Sequence, residues 1–286
     1  MKKLSLSILL LLAILLGACS NSNDSTESNQ KEKSDEVWDA IQESGEIVVG
    51  TSGTLYPSSY YPKDSDELTG FEVEVQKEIA DRLGLDIKFE TMAFDATLTA
   101  LNSGRIDMAS MGLRGENKEK FAYTQPIKYS YATMIVRKDD NSGINQLEDL
   151  EGKLAGGAAT TVYSEIAEKY GAEVKTYGNA TNDAYLRDVH NGRTDVVIND
   201  YYLQSLAIEA FPDMNIHLHP DLKFHTSTAS IVMPKNADKL RGEIDSTVTD
   251  MLEDGTLKEI SETFFDGQDV SVKPEEDIIE IDGISK

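Results

Sequence analysis

The chain has almost no cysteine: Cys19 stands alone among 286 residues. A single thiol closes no disulfide within the chain, so any core must be held by packing. Basic side chains are scarce too. Twenty-seven Lys and Arg face 51 Asp and Glu, a net charge of −24, which argues against nucleic acid as a partner and against a basic patch for anionic lipid headgroups. Long apolar runs are absent after residue 16, and the one at residues 4–16 is shorter than the roughly 20 residues that span a bilayer. No Cys-x-x-Cys, His-Glu-x-x-His, Gly-x-Ser-x-Gly, Gly-x-x-x-x-Gly-Lys or dinucleotide fingerprint occurs. Covalent and cofactor chemistry therefore has no visible seat, and neither a cofactor nor a metal is expected. His217, His219 and His225 read as exposed polar positions rather than metal ligands.

Lys2 and Lys3 precede the short apolar run, the layout of a cleaved signal peptide over residues 1–18. Leu16-Gly17-Ala18-Cys19-Ser20 is similar to a bacterial lipobox. That resemblance implies acylation of Cys19 and a lipid anchor on the outer face of the cell membrane. Residues 20–35 hold no apolar side chain and cannot bury enough surface to fold, so residues 19–36 read as an anchor and tether.

Residues 70–83 organise the rest of the chain. Phe71, Val75, Ile79 and Leu83 recur every fourth residue, with charged side chains between them, which predicts an amphipathic helix. Gly84 is placed to end it in the left-handed conformation, and the alternation of Leu85, Ile87 and Phe89 predicts a strand. Residues 46–50 form a short apolar run suited to a sheet buried on both faces, giving the order strand, helix, strand and a parallel sheet. Asp95 is a candidate N-cap for the next helix, which Asn102-Ser103-Gly104-Arg105-Ile106-Asp107 ends. The pattern returns later, with Gly171 after a second helix and Asn191-Gly192-Arg193-Thr194-Asp195 before the run Val196-Val197-Ile198. The chain thus reads as two α/β units of like layout.

Gly70-Phe71-Glu72-Val73-Glu74-Val75, with Ile79 and Ala80, resembles the signature of the family 3 extracellular solute-binding proteins, and weaker similarity runs from about residue 37 to 265. The resemblance implies the amino-acid receptor of an ABC importer: a monomer, captured solute in a cleft, a membrane permease as partner. It also implies a two-lobed, periplasmic-binding-protein-like (type II) fold, two open α/β sheets joined by two crossover strands. The expected division is lobe 1 at 37–135, lobe 2 at 136–231, a return to lobe 1 at 232–266, and an acidic tail at 267–286 that reads as loose.

A free amino acid needs donors for its carboxylate and an anion for its ammonium, in a cleft beyond the carboxyl ends of the strands. Asp200 follows a buried run and matches the family's ammonium-holding acid, although an N-cap for the following helix explains the same residue. Thr160 and Thr161 stand at a strand-to-helix turn similar to the family's Gly-Thr-Thr, with Ala159 for Gly and Gly157 for Gln; carboxylate binding and simple capping both fit. Relatives carry a Ser/Gly-rich strand end followed by Thr-x-x-Arg. Here the strand end is Ser110, Arg114 is the nearby guanidinium and candidate clamp, and ungapped matching puts Asn117 at the Arg position. Phe94 falls where relatives stack a ring on the ligand, and Tyr56, Tyr60 and Tyr61 occupy the loop after the first strand. Thr51-Ser52-Gly53-Thr54 lacks the acid often found there in receptors for cationic amino acids and is closer to cystine receptors, so a neutral polar amino acid is expected, cystine first. Two rival readings remain: an exported enzyme similar to cyclohexadienyl dehydratases, with Glu72 or Glu116 as its acid, and a sensor or adhesin that keeps the fold.

Overall fold

The computed structural model describes residues 36–112, 115–177, 182–275 and 277–284, Glu116 by its backbone only. The proposed leader, Cys19 and Arg114 lie outside the described residues.

The first half opens with helix α1 (36–44) and strand β1 (Glu46–Thr51). A small hairpin comes next, β2 (Thr54–Leu55) and β3 (Ser59–Tyr60), then α2 (Phe71–Leu83), β4 (Asp86–Thr91), α3 (Phe94–Ser103), β5 (Met108–Met111) and the short α4 (Gly115–Lys118). The stripe anticipated on α2 is buried: Phe71, Val75 and Ile79 are sealed from solvent. Gly70 begins the helix because only hydrogen fits there. Its φ is 129°, and a Cβ would come within 2.4 Å of the Ser58 carbonyl oxygen. Gly84 and Gly104 close α2 and α3 at φ of 68° and 69°, the left-handed ending.

Two long strands then join the halves, β6 (Phe121–Arg137) and, later in the chain, β11 (Phe224–Pro234); they pair antiparallel from Ala132 opposite Phe224 to Phe121 opposite Pro234. Between them the second half holds β7 (Leu154–Gly156), α5 (Val162–Lys169), β8 (Glu173–Lys175), α6 (Asn182–His190), β9 (Val197–Asp200), α7 (Tyr201–Glu209) and β10 (Ile216–Leu218). Helices α8 (Asp238–Glu253) and α9 (Thr256–Phe264) return to cover the first half, where the Phe71 and Phe265 rings meet edge-on at 5.2 Å.

The halves repeat one design. In the first, β1 lies parallel between β4 and β5; in the second, β7 runs parallel to β8 and bridges to Val196 just before β9. The closing aspartate of each Gly-Arg phrase has the same task. Val48 of β1 donates its N–H to Asp107 Oδ2 (2.8 Å), and Leu154 of β7 donates to Asp195 Oδ2 (3.0 Å). Each carboxylate thus fixes the register of its half's first strand to the turn beside it.

Two expectations are corrected. His219 and His225 are buried, not exposed, and His219 Nδ1 accepts from the Leu222 N–H while its Nε2 meets the Ile144 carbonyl. The segment after α9 is not loose. Val270 is buried against the first half and its carbonyl accepts from Tyr129 N–H (2.7 Å), whereas Ile279 pairs with β11 and Ile281 and Ile284 join the core of the second half. Ile281 and Ile284 suffice because each enters a core already built by other elements, while Ile279 keeps its side chain exposed and is held through its backbone.

Candidate functional site

A cavity of about 410 Å³ lies between the halves, at the carboxyl ends of the parallel strands. Open α/β sheets place ligands there because loops, not regular elements, line that end. The first half contributes residues after β1 and β5 and the starts of α2 and α3; the second contributes the β7 to α5 turn, α6 and the end of β9; β6 and β11 form the floor.

Asp200 ends β9 and begins α7. Its Oδ1 accepts the Leu203 N–H (3.0 Å), so the cap reading holds, and its Oδ2 lies 2.7 Å from Lys128 Nζ. The side chains of this pair are only 11% and 7% exposed. Lys128 enters from β6, with the Phe265 ring 5.4 Å from its ammonium. Glu72, in the first turn of α2, lines the same floor. It keeps some solvent contact through the cleft, yet protein surrounds its carboxyl. Desolvation pushes it up to about 7, Lys128 pulling the other way and Asp200 reinforcing the rise. Tyr163 lines the opposite wall, its hydroxyl raised by burial and bonded to Ser227.

On the first-half side, Ser110 stands at the end of β5, its Oγ 2.8 Å from the Gln76 amide. With that amide oriented to satisfy both ends, Gln76 accepts from Ser110 and donates to the Glu72 carbonyl. Lys118 also lines the cleft, and burial lowers the affinity of its amine for a proton. Asn117 is buried, accepts from Lys120 and does not line the cavity.

The anticipated residues are thus partly assembled. Asp200, Thr161, Ser110 and Phe94 line one cavity. Thr161 caps α5 through Ser164 N–H at 3.3 Å. Thr160 does not line the cavity; it donates its hydroxyl (2.5 Å) and its N–H (3.3 Å) to Asp95 Oδ1 across the cleft mouth. Asp95 is therefore not the N-cap of α3, whose cap position is Ala93 without a side-chain bond. Tyr56 is 45% exposed and packs edge-on against Tyr60, away from the cavity lining. Sequence reasoning missed Lys128 and Lys118. The first had a signal in retrospect: a lone charge at Ile127-Lys128-Tyr129-Ser130-Tyr131, inside a stretch otherwise suited to a buried strand.

The arrangement sets an anion and a cation on one floor, hydroxyls around them, and a second cation on the facing wall. Such a lining suits a small polar molecule held by both ends.

Comparison with known proteins identifies the family. Residues 47–267 match the model of the bacterial extracellular solute-binding proteins, family 3. The chain is 49% identical over 273 residues to the probable ABC transporter extracellular-binding protein YckB of Bacillus subtilis, covering 94% of this chain and 93% of that one. It is 31% identical to the L-cystine-binding protein TcyA of the same organism, over 95% of this chain and all of that one. The crystal structure of the B. subtilis YckB protein superposes with a TM-score of 0.67 over 86% of this chain and 99% of the other.

Proposed function

This chain belongs to the bacterial extracellular solute-binding proteins of family 3, and we propose that it captures a polar amino acid, cystine first, and delivers it to the permease of an ABC importer. One observation carries the reading: a cleft between two halves, with Asp200 on one side and Ser110 and Lys118 on the other. A solute that touches both sides makes all its contacts only when the halves are closed, so occupancy favours the closed state. In this reading Asp200 receives the ammonium, Ser110, Thr161 and Lys118 receive the carboxylate, and Phe94 covers the side chain. Arg114 stays a candidate for the same carboxylate. The cavity volume suits a ligand longer than the smallest amino acids, and the relation to an L-cystine-binding protein supports the choice of cystine. Lipidation at Cys19 would hold a monomer at the outer face of the membrane, and Cys19→Ser should move it from the membrane fraction to the medium.

Melting shifts with the twenty amino acids and L-cystine, followed by calorimetry, test the assignment. No shift with any of them would sink it. One feature favours a second reading: Glu72 lines the cleft and burial pushes it up to about 7, the direction a dehydratase acid needs. Turnover of prephenate or arogenate would establish that activity.

A further inference from the structure

The acid expected to receive the ligand's ammonium is already engaged. Asp200 Oδ2 carries the Lys128 ammonium at 2.7 Å and Oδ1 carries a backbone N–H. A zwitterion docking its ammonium on Asp200 therefore places two cationic groups on one buried carboxylate, an excess that the low-dielectric floor tolerates poorly. Among the described residues, one further carboxyl lines that floor. Glu72, on a different element from either partner, is close enough for both Lys128 and Asp200 to act on it. We propose that Glu72 is the counter-charge of the bound ammonium: as the ligand enters, Glu72 gives its proton to solvent and its carboxylate shares Lys128 with Asp200. The inference rests on the amino-acid reading of the cleft.

The step balances. A neutral carboxyl becomes a carboxylate, a proton leaves to buffer, and the added positive charge of the ligand ammonium is matched by one added negative charge. The other ionisable groups facing the cleft act differently. Tyr163 and Tyr185 have their hydroxyls raised by burial and stay neutral. Asp95 sits at the mouth, bonded to Thr160. A carboxylate brought to Lys118 favours the charged form of its amine, so this group is no source of a released proton. His225 also lines the cavity, so the source of the proton must be assigned by substitution.

Calorimetric titration tests this, using whichever of L-cystine and the twenty amino acids gives the largest melting shift. Run between about pH 6 and about pH 8 in phosphate and in Tris, it should show affinity rising with pH, by at most about tenfold per unit and flattening above about 7. Below that point the difference between buffers should correspond to release of up to about one proton. In Glu72→Gln both the slope and the buffer difference should vanish. Lys128→Met provides an independent check: the ligand ammonium then has Asp200 to itself, Glu72 keeps its proton, and the remaining binding should be independent of pH. Wild-type binding that is flat with pH, proton uptake, or an unchanged slope in Glu72→Gln would overturn the proposal while leaving amino-acid capture intact. Absence of binding by every amino acid at every pH would remove both.

Discussion

Replacing Asp200 by Ala should destabilise the unliganded protein far more than loss of a helix cap. The carboxylate does two things: Oδ1 caps α7 at 3.0 Å and Oδ2 holds Lys128 at 2.7 Å in a nearly closed site. Removing the cap costs about 1 kcal/mol, and orphaning a buried ammonium costs about 3–5 kcal/mol. Among the described residues Lys128 has a fallback, because Glu72 lies near enough to feel it and can ionise. At about pH 8 Glu72 is already largely ionised, so the expected loss is about 3 kcal/mol; at about pH 6 it must first lose a proton, adding roughly 1.4 kcal/mol for each unit below seven. Asp200→Asn keeps the capping oxygen and isolates the charge term. In a cycle with Lys128→Met the coupling should be at least about 2 kcal/mol. Urea unfolding of the four proteins at both pH values gives these numbers. A loss of about 1 kcal/mol at either pH, or a coupling within about 0.5 kcal/mol of zero, would show that the pair does not hold the floor together and would refute the reasoning.

Three other outcomes are expected from the geometry. Glu72 binds its proton more tightly folded than unfolded, so its contribution is present below its ordinary value of 4.5 and is lost as pH rises through about 7; unfolding measured across that window should show a decline that Glu72→Gln flattens. Asp95→Ala removes both bonds to Thr160 across the cleft mouth; since the pair is exposed, ligand release measured by stopped flow should quicken only about fivefold, equivalent to about 1 kcal/mol. Ile281→Ala should cost about 2–5 kcal/mol because that side chain is buried in the core of the second half, and an unchanged melting temperature would return the C-terminal segment to the status of a loose tail.

Periodicity made α2 readable. A stripe at every fourth residue has one way to be buried, and glycine at the helix end has one conformational reason to be there. The repeated Gly-Arg phrase was readable as a repeat, although the bonds from Asp107 and Asp195 to strands 59 and 41 residues earlier were not. Asp95 shows the limit. By local rules it is a cap, yet its partner Thr160 is 65 residues away and no local pattern names it. Tyr56 shows the reverse, a ring in a suitable loop that the β2–β3 hairpin turns outward.

By itself the sequence determined what depends on near neighbours: the alternation of strands and helices, the doubled α/β layout, and a family motif at the start of α2. Tertiary structure alone decided the charge state of the cleft. Lys128 and Asp200 are 72 residues apart, and only folding brings them together and encloses Glu72 beside them, because desolvation and Coulomb attraction depend on distance and burial in space and leave no periodic trace along the chain.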